Sequence, residues 1–483
     1  MSLLPFLLVS IGACGGALLL RVRPTAAVSV GVIGLALAFV AALAIRPGER
    51  LEIGGMPLET SDFQRLFLLL GCVSGLGLAV AGLAAGSHRD APAVTLGTLA
   101  AAAVALALPD ARIAIVASTA GGLLGVLVTR VPSGARAGAT VGIREVRAVI
   151  IAGTLAIGAA AWIARPLGDL TVQPAVFGLA YLSFVLAVAL RFGVIPFHFW
   201  AARLADAAPE VMLPVLTAWG PAALAVVALA WIDGSVAPIL PEVGGERALL
   251  VGISLLTIVL AAFAATIQDD LEHVLGYSIM GDAGIILLGL AALGTDAWTP
   301  ARTWILVFVV ARSAFAAWTA AVRMSFATGR VEDLRGWARR SPPLAIAFVL
   351  VVSASVGLPG FVALEARATL VSLLFSGPWD RLVLVATLAP LAYYGRLLVV
   401  GLRRPYVGSF AEDWRPVGVA LDLTRLRNSL AALGRANRGP TTALVAVALA
   451  ALAVGTAAGA FGITDAAAGV APGFEGGPQI GPE

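Results

Sequence analysis

The stretch Arg191-Phe-Gly-Val-Ile-Pro-Phe-His-Phe-Trp200 puts an arginine, a histidine and two helix breakers within ten residues of an otherwise apolar run. His198 stands about two helical turns beyond Arg191. Between them Gly193 and Pro196 interrupt the ladder, because proline lacks the N–H and crowds the preceding turn. A second interruption, Gly357-Leu-Pro-Gly360 with Pro359 at its centre, is followed by Glu365 and Arg367. Two more charges stand in apolar text: Asp282, in Tyr277-Ser-Ile-Met-Gly-Asp-Ala-Gly284, and Arg312, among Val309, Val310, Phe315 and Trp318.

All 32 basic residues are arginine. A buried lysine can lose its proton in the working range, whereas arginine stays charged under essentially any protein condition. Arg191 and Arg312 can therefore fix a field but cannot relay a proton. Carriers have to come from Asp282, Glu365, His198, His273 or ordered water. The alternative is structural: an ion pair such as Asp282 with Arg312 locking neighbouring helices. Cys14 and Cys72 are isolated in apolar runs, so neither a disulfide framework nor a metal site is expected.

The elements that hold these groups have to be membrane helices. The chain of 483 residues is 60% hydrophobic and 12% charged, with a mean hydropathy of +0.96, which excludes a water-soluble globular protein. Apolar runs of about twenty residues recur almost end to end. They predict an all-α integral membrane protein of about fourteen transmembrane helices, among them spans at 113–129, 148–164, 174–196, 274–294, 303–322, 343–375 and 382–402. Residues 1–90 hold three spans, 91–233 a first five-helix unit broken near 193–196, and 248–402 a second, inverted unit broken near 357–360. Interrupted helices at matching places in inverted halves point to an ion site, since freed backbone groups are tolerated only in a polar cavity or within protein.

Arginines outside the spans divide twenty to eight between the loops after odd-numbered and even-numbered spans. The positive-inside rule then puts the odd-numbered loops in the cytoplasm and both termini outside, in a cell inner (plasma) membrane. The same rule accounts for the basic pI of about 9.6, so no nucleic-acid partner is expected. Residues 403–439, with Val419, Leu423, Leu426, Leu430 and Leu433 at steps of four and three, read as an amphipathic helix on the cytoplasmic surface or against a partner subunit. A last span at 440–462 precedes a tail, 463–483, rich in Gly, Pro and Ala and expected to be disordered.

The sequence resembles the antiporter-like membrane subunits of respiratory complex I, a family that also includes subunits of cation/proton antiporters and membrane-bound hydrogenases. The first broken stretch, with Ala208-Pro209, looks like the span-seven signature of subunit N of NADH:quinone oxidoreductase. Gln268-Asp-Asp-Leu-Glu-His-Val-Leu-Gly-Tyr-Ser278 with Asp282 and Gly284 is similar to the family's entry into span ten, and Gly357-Leu-Pro-Gly-Phe361 to its break in span twelve. The resemblance, over roughly residues 90–400, implies a proton-translocating subunit that binds no iron–sulfur cluster, flavin or haem. Quinone and the redox centres would belong to partner subunits, and two cysteines are too few for a cluster. Other membrane subunits, the lipid bilayer and protons or small cations are the implied partners.

The departures from the family concern its titrating groups. Ile113 to Val128 contains no acid where pumping members carry a span-five Glu, and the span-seven Lys appears as Arg191. The span-eight Lys falls near Trp219 to Pro221, the span-eleven Lys looks like Arg312, and the span-twelve Lys or Glu is matched by Glu365 or Arg367. Two other functions stay open: a cation/proton antiporter or ion-transporter subunit without redox coupling, and a scaffold that kept the fold and lost conduction.

Overall fold

In lipid a chain must satisfy its own backbone, so each long apolar run closes into a helix. The computed structural model describes residues 2–84, 90–125, 136–163, 174–235, 243–404 and 438–469. The amphipathic segment expected at 403–439 lies almost wholly outside these residues, as does the tail from 470.

The N-terminal part is α1 (Leu3–Leu19), α2 (Pro24–Leu43) and α3 (Asp62–Ala84). It is followed by α4 (Ala91–Ala107), α5 (Ala111–Leu123), α6 (Arg136–Ile163), α7 (Pro174–Phe192) and the short α8 (Phe199–Leu204). A π-helical turn, Val215–Trp219, leads into α9 (Gly220–Ser235), then come α10 (Gly244–Ile267), α11 (Leu271–Ala292) and α12 (Thr295–Phe326). The C-terminal part is α13 (Pro342–Val356), α14 (Val362–Ser372), α15 (Pro378–Ala386), α16 (Leu391–Leu402), α17 (Arg438–Ala457) and α18 (Ile463–Ala468).

Among the described residues nine helices are long and apolar enough to cross a membrane, α15 and α16 make a tenth as a bent pair, and four more apolar helices are shorter. The chain is a multi-pass membrane protein. Helices apolar on every side belong in the centre of a bundle: the span from Val215 to Ile232, α11 and α12 are buried almost throughout. At the periphery α1, α2 and α10 turn Leu8, Ile11, Ile33, Leu37 and Phe263 outward, an apolar surface suited to lipid.

Several details depart from the sequence reading. A small antiparallel hairpin, Arg50–Ile53 against Met56–Glu59, interrupts the all-α plan. Gly54 and Gly55, both with positive φ, make its turn, and Arg50 Nε donates to Glu59 Oε2 at 3.0 Å. The sixth span, expected from 148, starts at Arg136. Arg144, Glu145 and Arg147 break the hydropathy but not the helix, whose ladder is indifferent to side-chain polarity. The thirteenth span is bent by about 40° around Thr387 to Pro390. The tail is ordered at its start: α18 packs on α3 and α12, with Ile463, Ala466 and Ala467 buried.

Arginine ends many of these helices. The last carbonyls of a helix have no partner inside it and attract cations. Arg247 Nε donates to Ala291 O of α11 at 2.9 Å, and Arg396 Nη1 to Thr266 O of α10 at 2.7 Å. Arg302, buried in α12 with its guanidinium 4.1 Å from the Phe63 ring centre, donates to Ala467 O of α18 at 2.9 Å and to Gly469 O. These contacts order the start of the tail.

At the opposite polarity, Asp110 caps α5 by accepting from Arg112 N at 2.8 Å. The Arg112 guanidinium, bonded to the same carboxylate, holds Asp110 below the usual carboxylate range. Asp110→Ala should cost about 0.5–2 kcal/mol. Because the folded-state pKa is lowered, this stability is present above the ordinary carboxylate value and is lost as pH falls through the depressed one. Unfolding of parent and variant in detergent, compared at neutral and acid pH, checks both the size and the sign.

Candidate functional site

The first break places Arg191 on the last turn of α7. Gly193 adopts φ +65°, which glycine alone takes without strain. The freed backbone is sealed by protein: Trp200 Nε1 donates to Leu190 O at 2.9 Å, Thr257 Oγ1 to Ile195 O at 3.2 Å, and Val194 N to Ala189 O at 3.0 Å. Such closure is what allows a broken helix at membrane depth.

Arg191 is 3% exposed, and its guanidinium lies against Gly122 of α5, where a Cβ would run into Nη2 and Cζ. A Cβ on Gly220 would stand 3.5 Å from the same Nη2. The counter-charge is Glu145 of α6, 2% exposed, whose carboxylate acts on Arg191 and lies against Gly125. Two glycines of α5 and the turn after it thus make room for a buried acid–arginine pair. The acid absent from 113–128 stands one helix later, on residues the hydropathy reading placed outside any span. Gly122→Ala should push the flexible guanidinium away from Glu145 and destabilise the fold. Gly158→Ala, where a Cβ meets nothing, should leave stability unchanged; unfolding of both variants in detergent checks this.

The second break builds a larger cluster. Gly357 and Gly360 have φ of +75° and +86°. Arg367 on α14 turns back to cap the broken α13 by donating to Ser355 O, and its guanidinium stacks on Trp304 at 4.4 Å. Asp282 and Arg312, 1% and 0% exposed, face each other between α11 and α12. Arg312 Nε donates to Asp282 Oδ2 at 2.9 Å, with Nη2 in ion contact with the same oxygen at 2.8 Å. Arg312 Nη1 donates to the Tyr394 hydroxyl at 3.0 Å, and the rings of Tyr393 and Tyr394 are 4.4 Å apart. Asp282 lies in the field of both Arg312 and Arg367. One carboxylate, two guanidinium groups and two phenols therefore share a buried site; of these the sequence had named Asp282, Arg312 and Arg367, with only Asp282 and Arg312 paired.

The halves touch next to this cluster. Trp219, at the end of the π turn, donates from Nε1 to Ser313 Oγ at 3.0 Å, one residue from Arg312. Single π turns inside α-helices recur at functional sites. Where the resemblance expected a span-eight lysine, a fixed indole donor joins the units.

Two expected site residues are not part of either cluster. Glu365 is exposed on the outer side of α14 and does not pair with Arg367. Residues two apart on a helix do not face each other, so with Arg367 inside, Glu365 must point out. His198 packs its ring 4.4 Å from Phe199, across the break from Arg191. Among the described residues no group of His, Cys, Asp and Glu has the arrangement to hold a metal.

The family described as the NADH:quinone oxidoreductase/Mrp antiporter transmembrane family matches residues 149–391. The chain belongs to that family. The matched region holds both breaks, Arg191, Asp282, Arg312 and Arg367, and begins just after Glu145. NADH-quinone oxidoreductase subunit N of Hydrogenovibrio crunogenus is 28% identical over 230 residues, 46% of this chain and 47% of the relative. The chain thus spans about half the length of the curated relatives it matches. Among solved structures, a chain of respiratory complex I from Thermus thermophilus aligns with a TM-score of 0.69 at 19% identity, covering 96% of this chain and 100% of that one. A chain of the membrane-bound sulfane sulfur reductase, an archaeal respiratory membrane complex, aligns with a TM-score of 0.71 at 18% identity, covering 94% and 99%. At these identities the likeness establishes the family fold.

Proposed function

We propose that this chain is a membrane-arm subunit of a complex-I-like NADH:quinone oxidoreductase, through which protons move while electrons flow in partner subunits. Quinone and the redox centres belong to those partners. The observation that carries this reading is the pair of buried acid–arginine sites, Glu145 with Arg191 and Asp282 with Arg312, one beside each broken helix. A charge at the bilayer centre costs at least about 2.5–3.5 kcal/mol, and a packing role would be served as well by apolar side chains.

The arginines keep their protons, so the carboxylates are the carriers. When Asp282 takes a proton Arg312 loses its counter-charge. Its bond to the Tyr394 hydroxyl then weighs more, and the change reaches the first half through Ser313 and Trp219. The asymmetry of arginines supports an inner membrane with the connection that holds Glu210, the start of α11 and the end of α12 on the cytoplasmic side, both termini outside, and two inverted five-helix units about the breaks.

The test is to purify the chain with its native assembly, identify the other subunits, and reconstitute the whole into liposomes. NADH-driven quinone reduction should be accompanied by proton movement. An assembly of cation-antiporter subunits that exchanges ions without NADH oxidation would overturn the redox reading.

A further inference from the structure

At the end of the bundle that the arginine asymmetry assigns to the cytoplasm, one guanidinium is shared by two carboxylates from different units. Arg323, at the end of α12, has Nη1 3.1 Å from Glu210 Oε2 and 2.7 Å from Glu272 Oε1. Glu210 belongs to the connection between α8 and the π turn, and Glu272 to the first turn of α11. Beside them His273 Nε2 is 3.1 Å from Asp206 Oδ1, and Arg203 Nη1 is 3.5 Å from Asp206 Oδ2. The backbone holds the parts in place: Leu271 N donates to Gly329 O at 2.9 Å and Val331 N to Asp269 O at 2.7 Å, clamping the start of α11 to the loop after α12.

We propose that this network is the site where a proton from the cytoplasm is taken up toward the second-half cluster, with Glu210 as the group that binds it. Three observations converge. First, the network joins exposed to buried groups, from 51% for the Arg323 side chain and 42% for Asp206, through 24% for His273 and 16% for Glu272, to 3% for Glu210, which Arg323 contacts directly. Second, two carboxylates on one guanidinium leave one negative charge over, which one proton neutralises. The new O–H bond forms on Glu210 as one in hydronium breaks, and Arg323 stays ionised, paired with Glu272. Third, Glu210 opens the segment that leads through the π turn to Trp219 and so to Ser313 beside Arg312. Burial pushes the Glu210 carboxyl up; Arg323 pulls it down and Glu272 raises it, with a net rise. Asp206, His273 and Arg203 are the other charged or titratable groups in the network.

The site rests on the proton-translocating reading for its purpose, but its proton binding can be measured apart from it. Infrared difference spectra of the full chain, purified in detergent and titrated with acid, should show a protonated-carboxyl stretch that disappears in Glu210→Gln. In Glu272→Gln, where Arg323 serves Glu210 alone, the same band should appear only at lower pH. Glu210→Asp, which keeps the acid, should retain a titrating band and shows that loss in Glu210→Gln is not loss of the fold. In the reconstituted assembly Glu210→Gln should slow proton uptake by roughly 10²-fold. A titrating band that survives unchanged in Glu210→Gln, or uptake that stays at the parental rate in that variant, would overturn the proposal. A Glu210 band that titrates as described in an assembly that moves no protons would instead sink the proposed function and leave the binding site standing.

Discussion

Arg312→Ala should destabilise the protein by about 3–5 kcal/mol, whereas the double variant Asp282→Asn/Arg312→Met should recover most of that loss. Removing one partner of a buried pair leaves a charge that cannot be solvated. Here Asp282 is 1% exposed and accepts from Arg312 across the α11–α12 interface. After truncation only the more distant Arg367 would still act on it. Asp282→Asn alone has the opposite fault: Arg312 keeps the Tyr394 hydroxyl but loses its counter-charge. The double variant removes both charges and fills the space with an unbranched apolar chain. Unfolding in a single detergent, followed by tryptophan fluorescence, gives the ranking. If the double variant is as stable as the parent yet moves no protons, the pair is retained for transport. If it is stable and moves protons at the parental rate, the cluster is structural.

At the first break Arg191→Ala should abolish proton movement, and Arg191→Lys should retain it. In the cradle of Gly122 and Gly220 the guanidinium serves Glu145 as a fixed positive charge. Lysine can supply that charge, and unlike arginine it can also release a proton when buried. Glu145→Gln should remove the carrier and leave transport as low as Arg191→Ala does. Liposome uptake driven by the intact assembly distinguishes the roles. Equal loss in Arg191→Ala and Arg191→Lys would show that the planar fork, rather than the charge, is required.

The breaks at Gly193–Pro196 and Gly357–Gly360 were legible in the sequence because the residues that cause them are local. The Asp282–Arg312 pair was legible because two opposite charges in neighbouring apolar runs have few other partners. Glu145 was missed for a physical reason. Hydropathy marks the lipid-immersed part of a helix, and α6 begins about three turns earlier, where Glu145 turns inward between the exposed Arg144 and Arg147. The role of Arg367 depends on a carbonyl released by a different helix, which no spacing within α14 reveals. The outward position of Glu365 follows from helix rotation once Arg367 is placed. Likewise α18 owes its order to Arg302, more than 160 residues away in the chain. The Arg323 network joins three separate segments, so it became visible only when their ends met.

The decisive measurement is proton movement in liposomes holding the intact assembly, read with a pH-sensitive dye during electron transfer, for the parent, Glu145→Gln and Asp282→Asn. The buried acids as carriers predict that both variants still assemble and transfer electrons, while proton movement through this chain is lost in each. Undiminished proton movement in both, at parental rates of electron transfer, would contradict it.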